Sequence, residues 1–177
     1  MESPKPITAR AIFAGGCFWC MQAEFEQAPG VISVTAGYTG GTIKNPTYEE
    51  VSSGATGHAE AIEVVYDPAK IAYVTLLDIF WSNIDPMDAG GQLHDRGTQY
   101  RTAIFYTTDD QRILAETSKQ KVEDKLKKPI ATEISKADEF YPAEDYHQDY
   151  YKKNPIRFKA YELGSGREEH LKEIWGK

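Results

Sequence analysis

The two cysteines of the chain, Cys17 and Cys20, stand three residues apart directly after Gly15-Gly16, at the junction between an apolar run and a helical pattern. The run from Ala9 to Ala14 reads as a buried strand. Beyond the glycines, Phe18, Met21 and Phe25 recur at i, i+3 and i+7 until Pro29-Gly30 stops the pattern, which predicts a helix. Cys17 is therefore expected at the helix N-terminus, on a chain that mixes sheet and helix.

Later segments extend the same alternation. Strands are predicted from Val31 to Ala36, from Ala61 to Tyr66 and from Arg101 to Tyr106, with a short one near Thr132 to Ser135. Val74, Leu77 and Trp81 carry helical spacing, and Thr108-Asp109 reads as the cap of another helix bearing Leu114, Ala115, Val122 and Leu126 on one side. Two glycine-bearing connections, Gly37 to Gly57 and Asp85 to Gly97, are longer than linkage requires and are candidates for function. The order predicts an α+β fold: one domain, residues 1–177, as a two-layer sandwich of a mixed, mostly antiparallel sheet and packed helices. The tyrosine-rich end is read as an irregular C-terminal tail with short helices around Glu144 to Tyr151 and Ile156 to Glu162. His147 and Tyr151 are expected on one helix face, in a structural role.

With 177 residues, 41% of them hydrophobic and 27% charged, the chain is long enough to bury a core and is not of disordered composition. A formal charge of −7 disfavours a nucleic-acid partner, whose phosphates call for clustered Lys and Arg. Residues 1–10 lack the apolar core of a secretory signal and no stretch reaches membrane-spanning length, so a cytoplasmic location and no membrane partner are expected. The absence of an obvious apolar interface segment leads to the expectation of a monomer.

A disulfide closing so short a loop removes little unfolded-state entropy, so the cysteine pair is a poor structural staple and in a reducing cytosol is better explained by chemistry. A thiol at a helix start meets unpaired backbone N–H groups and the positive end of the helix dipole, which favour thiolate. Helix geometry puts Cα atoms three residues apart at about 5 Å, compatible with a disulfide once the first turn relaxes. The alternative is that both cysteines are small buried hydrophobes. A zinc site would need two further ligands, and His58, His94, His147 and His170 show no metal-ligand spacing.

Six segments then narrow the choice. Gly15-Gly16-Cys17-Phe18-Trp19, Gly37-Tyr38-Thr39-Gly40-Gly41, the run from Pro46 to Val51, Gly57-His58-Ala59-Glu60, the run from Asp95 to Arg101 and the run from Tyr141 to Gln148 resemble, in order and spacing, the methionine sulfoxide reductase A family over residues 7–158. The resemblance implies that family's α+β fold, reduction of the S epimer of methionine sulfoxide, free or in proteins, and no bound cofactor. It implies Cys17 as nucleophile, Glu60 as proton donor, and Tyr48 and Tyr100 as hydroxyl donors to the sulfoxide oxygen. Asp95 would orient a tyrosine or water, and Phe18 and Trp19 would form the wall for the S-methyl group.

Taken alone, Glu60 fits equally a carboxyl whose pKa burial would raise and a carboxylate on a strand's wet face. Many relatives have glycine at the position of Cys20 and a resolving cysteine near the C-terminus, whereas here no cysteine follows Cys20. The expected cycle is attack by Cys17, a sulfenic acid, condensation with Cys20 as resolving cysteine, and reduction of the disulfide by thioredoxin or a similar dithiol, the alternative being direct reduction of the sulfenic acid by an external thiol or glutaredoxin. A general Cys-x-x-Cys dithiol oxidoreductase and a peptide-binding surface without chemistry are the competing readings. The Phe-Trp pair between the cysteines, together with Glu60, Tyr48 and Tyr100, opposes the first of these.

Overall fold

The structure is a computed structural model that describes Lys5 and residues 7–176, so part of the N-terminal stretch read for a signal lies outside the described residues. The elements run β1 (Ala9–Gly15), α1 (Phe18–Glu26), β2 (Val31–Thr39), α2 (Tyr48–Ser52), β3 (Ala59–Tyr66), α3 (Tyr73–Ser82), β4 (Gly91–Gln92) and β5 (Asp95–Arg96). A 3-10 turn (Thr98–Tyr100), β6 (Thr102–Tyr106), α4 (Asp109–Leu126), β7 (Glu133–Lys136) and β8 (Tyr141–Pro142) follow, then a second 3-10 turn (Asp145–His147), α5 (Tyr150–Lys153), α6 (Pro155–Ser165) and α7 (Arg167–Trp175).

Six strands form one sheet in the order β7-β6-β1-β3-β2-β8, while β4 and β5 make a separate hairpin. Within the large sheet every pairing is antiparallel except β6 with β7, which are joined through α4. This is the expected mixed, mostly antiparallel sheet with helices packed on it. Strand periodicity sorts the side chains. Ala11 and Phe13 of β1, with Ile62 and Val64 of β3, enter the large core beneath the helices, whereas Ile12, Ala14, Ala59 and Ala61 form a smaller cluster on the opposite face, against Ala137 and Phe140. Burial on both faces is why β1 reads as a continuous apolar run. Phe13 anchors the large core, its ring 5.2 Å from Phe25 of α1, 5.2 Å from Phe80 and 6.1 Å from Tyr73, both of α3.

The same periodicity fixes Glu60. It shares its side of β3 with Ile62 and Val64, so its carboxyl faces the helices, which removes the wet-face reading.

Two helix faces differ from expectation. Tyr73, Leu76, Leu77, Phe80 and Trp81 face inward on α3 and leave Val74 exposed, and on α4 Ala115 and Val122 pack inward while Leu114 lies at the surface. The Thr108 cap is as expected, its hydroxyl accepting from Gln111 N. Among the described residues the tail is not irregular. It is helical from Tyr150 to Trp175 with short breaks: Pro155 opens α6, and Gly166, at φ +68°, ends α6 and starts α7. The helix expected around Ile156 to Glu162 is α6, whereas α7 was not expected; the apolar residues of these helices form no stripe, since Ile156 and Leu163 are exposed while Ser165 and Arg167 are buried. Nor do His147 and Tyr151 share a helix face, since the chain breaks between them at Asp149, φ +53°. His147 packs against Phe18 and Trp19, and Tyr151 bonds Glu26.

Candidate active site

The turn from β1 into α1 depends on its glycines. A Cβ on Gly15 would come within 2.6 Å of Met21 Cε, and one on Gly16, at φ +87°, within 2.7 Å of Gln92 Cβ. The tight bend delivers Cys17 as the extended N-cap of α1, where its side chain makes no capping hydrogen bond. The first free N–H of the helix, Phe18 N, donates instead to Glu60 Oε1 at 3.2 Å. An orphan donor of α1 thus clamps the buried carboxyl of β3 beside the residue that bears the sulfur.

Glu60 is 2% exposed. Burial, followed by the nearby charge of Cys17, pushes its pKa well above the carboxylate range against the Phe18 hydrogen bond, and Asp95 adds to the rise. A proton is therefore held on Glu60 further toward neutral pH than on a free glutamic acid. Cys17 departs from expectation: burial, contact with the Cys20 thiol and the charge of Asp95 push its pKa up, and the Trp19 N–H opposes them too weakly to lower it. At an N-cap the sulfur gains less from the helix end than from solvation it has lost. Both cysteines are free and buried.

Tyr48 and Tyr100 converge on the same carboxyl. Tyr48 opens α2, whose start is fixed by a reciprocal capping box between Thr47 and Glu50, and its backbone N–H donates to Glu144 Oε2 at 3.1 Å. Tyr100 ends the first 3-10 turn, entered through Gly97 at φ +130°. Burial and then the charge of Glu60 raise both phenols' pKa, and Cys17 contributes to each. Two protonated hydroxyls therefore neighbour the carboxyl and the sulfur. Asp95, on β5, does engage a tyrosine, but the tyrosine is Tyr161 of α6, whose hydroxyl donates to its Oδ2.

Phe18 is 1% exposed, between Tyr38 and His147, and belongs chiefly to the core. Trp19 is half-buried. Its ring lies 3.9 Å from that of Tyr150 in a parallel stack and 5.9 Å from Tyr161 edge-on, and its Nε1–H donates to His147 Nδ1 at 3.0 Å. Burial lowers the His147 pKa, consistent with a neutral ring that accepts at Nδ1. Gln148 donates to Ala36 O and Ala143 O and accepts from Ala36 N, fastening the tail to β2. Sequence reasoning brought Cys17, Glu60, Tyr48, Tyr100, Asp95, Phe18, Trp19 and Cys20 into view, and these gather around the head of α1. It missed Tyr150 and Tyr161. The quoted segments stop at Gln148, before either, and no local pattern marks them.

Comparison with known proteins agrees with this constellation. The sequence profile described as peptide methionine sulfoxide reductase matches residues 9–177. The chain belongs to this family. Its reach beyond Phe158 brings α6 and α7 within the family domain. The chain is 56% identical over 169 residues to peptide methionine sulfoxide reductase MsrA of Bacillus licheniformis, covering 94% of this chain and 93% of that protein. It is 54% identical to the Bacillus subtilis protein of the same name, covering 99% of each. Of solved structures, reduced Mxr1 from Saccharomyces cerevisiae superposes with a TM-score of 0.81 at 30% identity, covering 88% of this chain and 90% of that one. Methionine sulfoxide reductase A of Corynebacterium diphtheriae superposes with a TM-score of 0.77 at 35% identity, covering 86% and 77%. Among the described residues no three His, Cys, Asp or Glu side chains are placed to hold a metal, and no helix is long and apolar enough to cross a membrane.

Proposed function

We propose that this chain reduces the S epimer of methionine sulfoxide, free or within proteins, to methionine, with Cys17 as nucleophile and Glu60 as proton donor. The observation that carries the reading is the bond from Phe18 N to Glu60 Oε1, which ties a buried carboxyl of raised pKa to the residue next to Cys17. Sulfoxide oxygen is a poor leaving group until it is protonated, so a soft nucleophile and an acid must act on adjacent atoms.

Glu60 gives its proton to the oxygen as Cys17 Sγ bonds to the sulfoxide sulfur, with the Tyr48 and Tyr100 hydroxyls donating to the developing charge. The proton released by the Cys17 thiol restores the carboxyl. Oxygen passes to Cys17 and methionine leaves, so a thiol and a sulfoxide become a sulfenic acid and a thioether with no net proton change. The raised pKa of Cys17 leaves little free thiolate, so the thiol must lose its proton as the sulfur attacks. Trp19 and Phe18 receive the S-methyl group through sulfur–aromatic contact, and Asp95, held by Tyr161, orients the polar side of the site. Cys20 then condenses with the sulfenic acid, releasing water. Thioredoxin or a similar dithiol reduces the disulfide, the chain working as a cytoplasmic enzyme.

Peptides carrying each sulfoxide epimer, supplied with a thioredoxin system, test the reading. Reduction of the S epimer alone is expected, with none for Cys17→Ser. Cys20→Ser should release one methionine per enzyme and then stall. Reduction of the R epimer overturns the epimer assignment, and undiminished turnover of Cys20→Ser overturns the internal disulfide.

A further inference from the structure

A cavity of about 470 Å³ lies where α1, the end of α3, α6 and α7 meet, and Cys20 and Arg167 both line it. Arg167 is 7% exposed, the same as Ile71 and Tyr73 at the edge of the apolar core. Its Nη2 donates to Asn83 O and lies 4.0 Å from Met21 Sδ, next in sequence to Cys20. Among the described residues no carboxylate stands within 4.0 Å of its guanidinium, although Glu24, Glu162, Glu168 and Glu169 line the same cavity. The other cation there, Lys172, is engaged by Glu168 at 3.5 Å. A buried guanidinium without a carboxylate is costly, and a carbonyl and a thioether do not neutralise its charge. The turn that buries it is specific: Gly166 takes φ +68° and makes Arg167 the first residue of α7.

We propose that Arg167 is a positioning residue for the resolving step, holding Cys20 as a thiolate so that it attacks the sulfenic acid of Cys17. This rests on the reading above that Cys20 resolves. In the step the Cys20–Cys17 S–S bond forms and the Cys17 S–O bond breaks. The Cys20 sulfur is oxidised, the Cys17 sulfur is reduced, and the oxygen leaves as water with the proton lost by the Cys20 thiol.

The groups facing Cys20 agree with the assignment. Cys17, on its own helix, lowers the Cys20 pKa most, burial opposes this, and Arg167 of α7 lowers it further, while Glu162 of α6 and Asp95 of β5 raise it. Asp95 thus opposes ionisation of both cysteines, whereas the cation Arg167 acts on Cys20 and not on Cys17. The cysteine that must react second is the one provided with a cation.

Single-turnover measurements on Arg167→Met, Arg167→Lys and the parent test the proposal. Methionine release, the first step, should be unchanged in all three. Disulfide formation at pH 7 should slow about tenfold in Arg167→Met, recover as pH rises, and stay near the parent rate in Arg167→Lys, because the rate follows the thiolate fraction. In a Cys17→Ser background, the ultraviolet thiolate titration of Cys20 should move to higher pH with Met and not with Lys. Equal titrations, or slowing that high pH does not relieve, overturn the role of Arg167. Undiminished turnover of Cys20→Ser with Arg167 intact overturns the resolving role of Cys20 instead. If Arg167→Met does not fold, Arg167→Gln, neutral and polar, is expected to give the same slowing and the same recovery.

Discussion

Glu60 and Trp19 both lie at the head of α1, yet they are held by different means. Glu60 projects from β3, an interior strand paired along both edges, and its carboxyl is tied to a backbone N–H. Trp19 leans on Tyr150 and His147, residues of a tail that reaches the body of the protein through side-chain bonds such as Tyr151 to Glu26, Trp175 to Ile84 O and Tyr161 to Asp95. Backbone ladders in a core open only at near-global cost, whereas short helices joined by side-chain contacts open locally. The sheet thus fixes the proposed proton donor, and the tail supports the proposed wall, which such contacts would let adapt to the peptide around a methionine.

The largest expected effect lies on the sheet side. Glu60→Gln keeps an oxygen for the Phe18 N–H and removes the proton, so methionine release in a single turnover should fall by about 10²–10⁴ while the far-ultraviolet circular dichroism stays unchanged. A loss of only a few-fold would remove Glu60 as the acid and leave the two halves of the site equivalent. On the tail side, Tyr150→Leu deletes a stack of a kind worth about 0.5–1.5 kcal/mol, so KM should rise by up to about tenfold with kcat little changed. Hydrogen exchange over residues 150–175 should quicken while that of β1 and β3 does not. A fall in kcat as deep as that of Glu60→Gln would show that the tail positions the chemistry and does not merely wall it.

The same division explains what could be read from the sequence. Strands and the head of α1 were legible because burial there follows periods of 2 and 3.6, interrupted by glycines whose φ or crowding leaves few alternatives. Phe18, Met21 and Phe25 all proved core residues. The side of β3 on which Glu60 lies could be settled only once its neighbours were known, since Ala59, Ala61, Ile62 and Val64 are apolar on both faces. In the tail the helix around Ile156 to Glu162 was legible, but α7 and the docking of the tail were not, for a physical reason: its binding to the body rests on scattered single contacts, by His147, Tyr150, Tyr161, Arg167 and Trp175, which share no period. The ionisation of Cys17 was misjudged because the helix end is visible in sequence and the burial that outweighs it is not.

The smallest expected effect is on stability, and it has opposite signs in the two halves. The pKa of Glu60 is raised on folding, by burial first, so its contribution to stability is fully present below the ordinary value near 4.5 and is lost as pH rises through the folded value. Glu144, at the head of the tail, goes the other way. Burial would raise its pKa, but its own backbone N–H, Tyr48 N and the Tyr38 and Tyr146 hydroxyls together hold it below 4.5, so its contribution is present above that value and is lost as pH falls through the folded one. Denaturant midpoints should therefore diverge. Glu60→Gln should gain on the parent as pH rises from about 4.5 through the folded value, and Glu144→Gln should lose to the parent at pH 7 by a margin that closes on acidification. Parallel responses of the two variants would mean that one electrostatic environment spans the site, and the separation of a sheet-held acid from a tail-held wall would not stand.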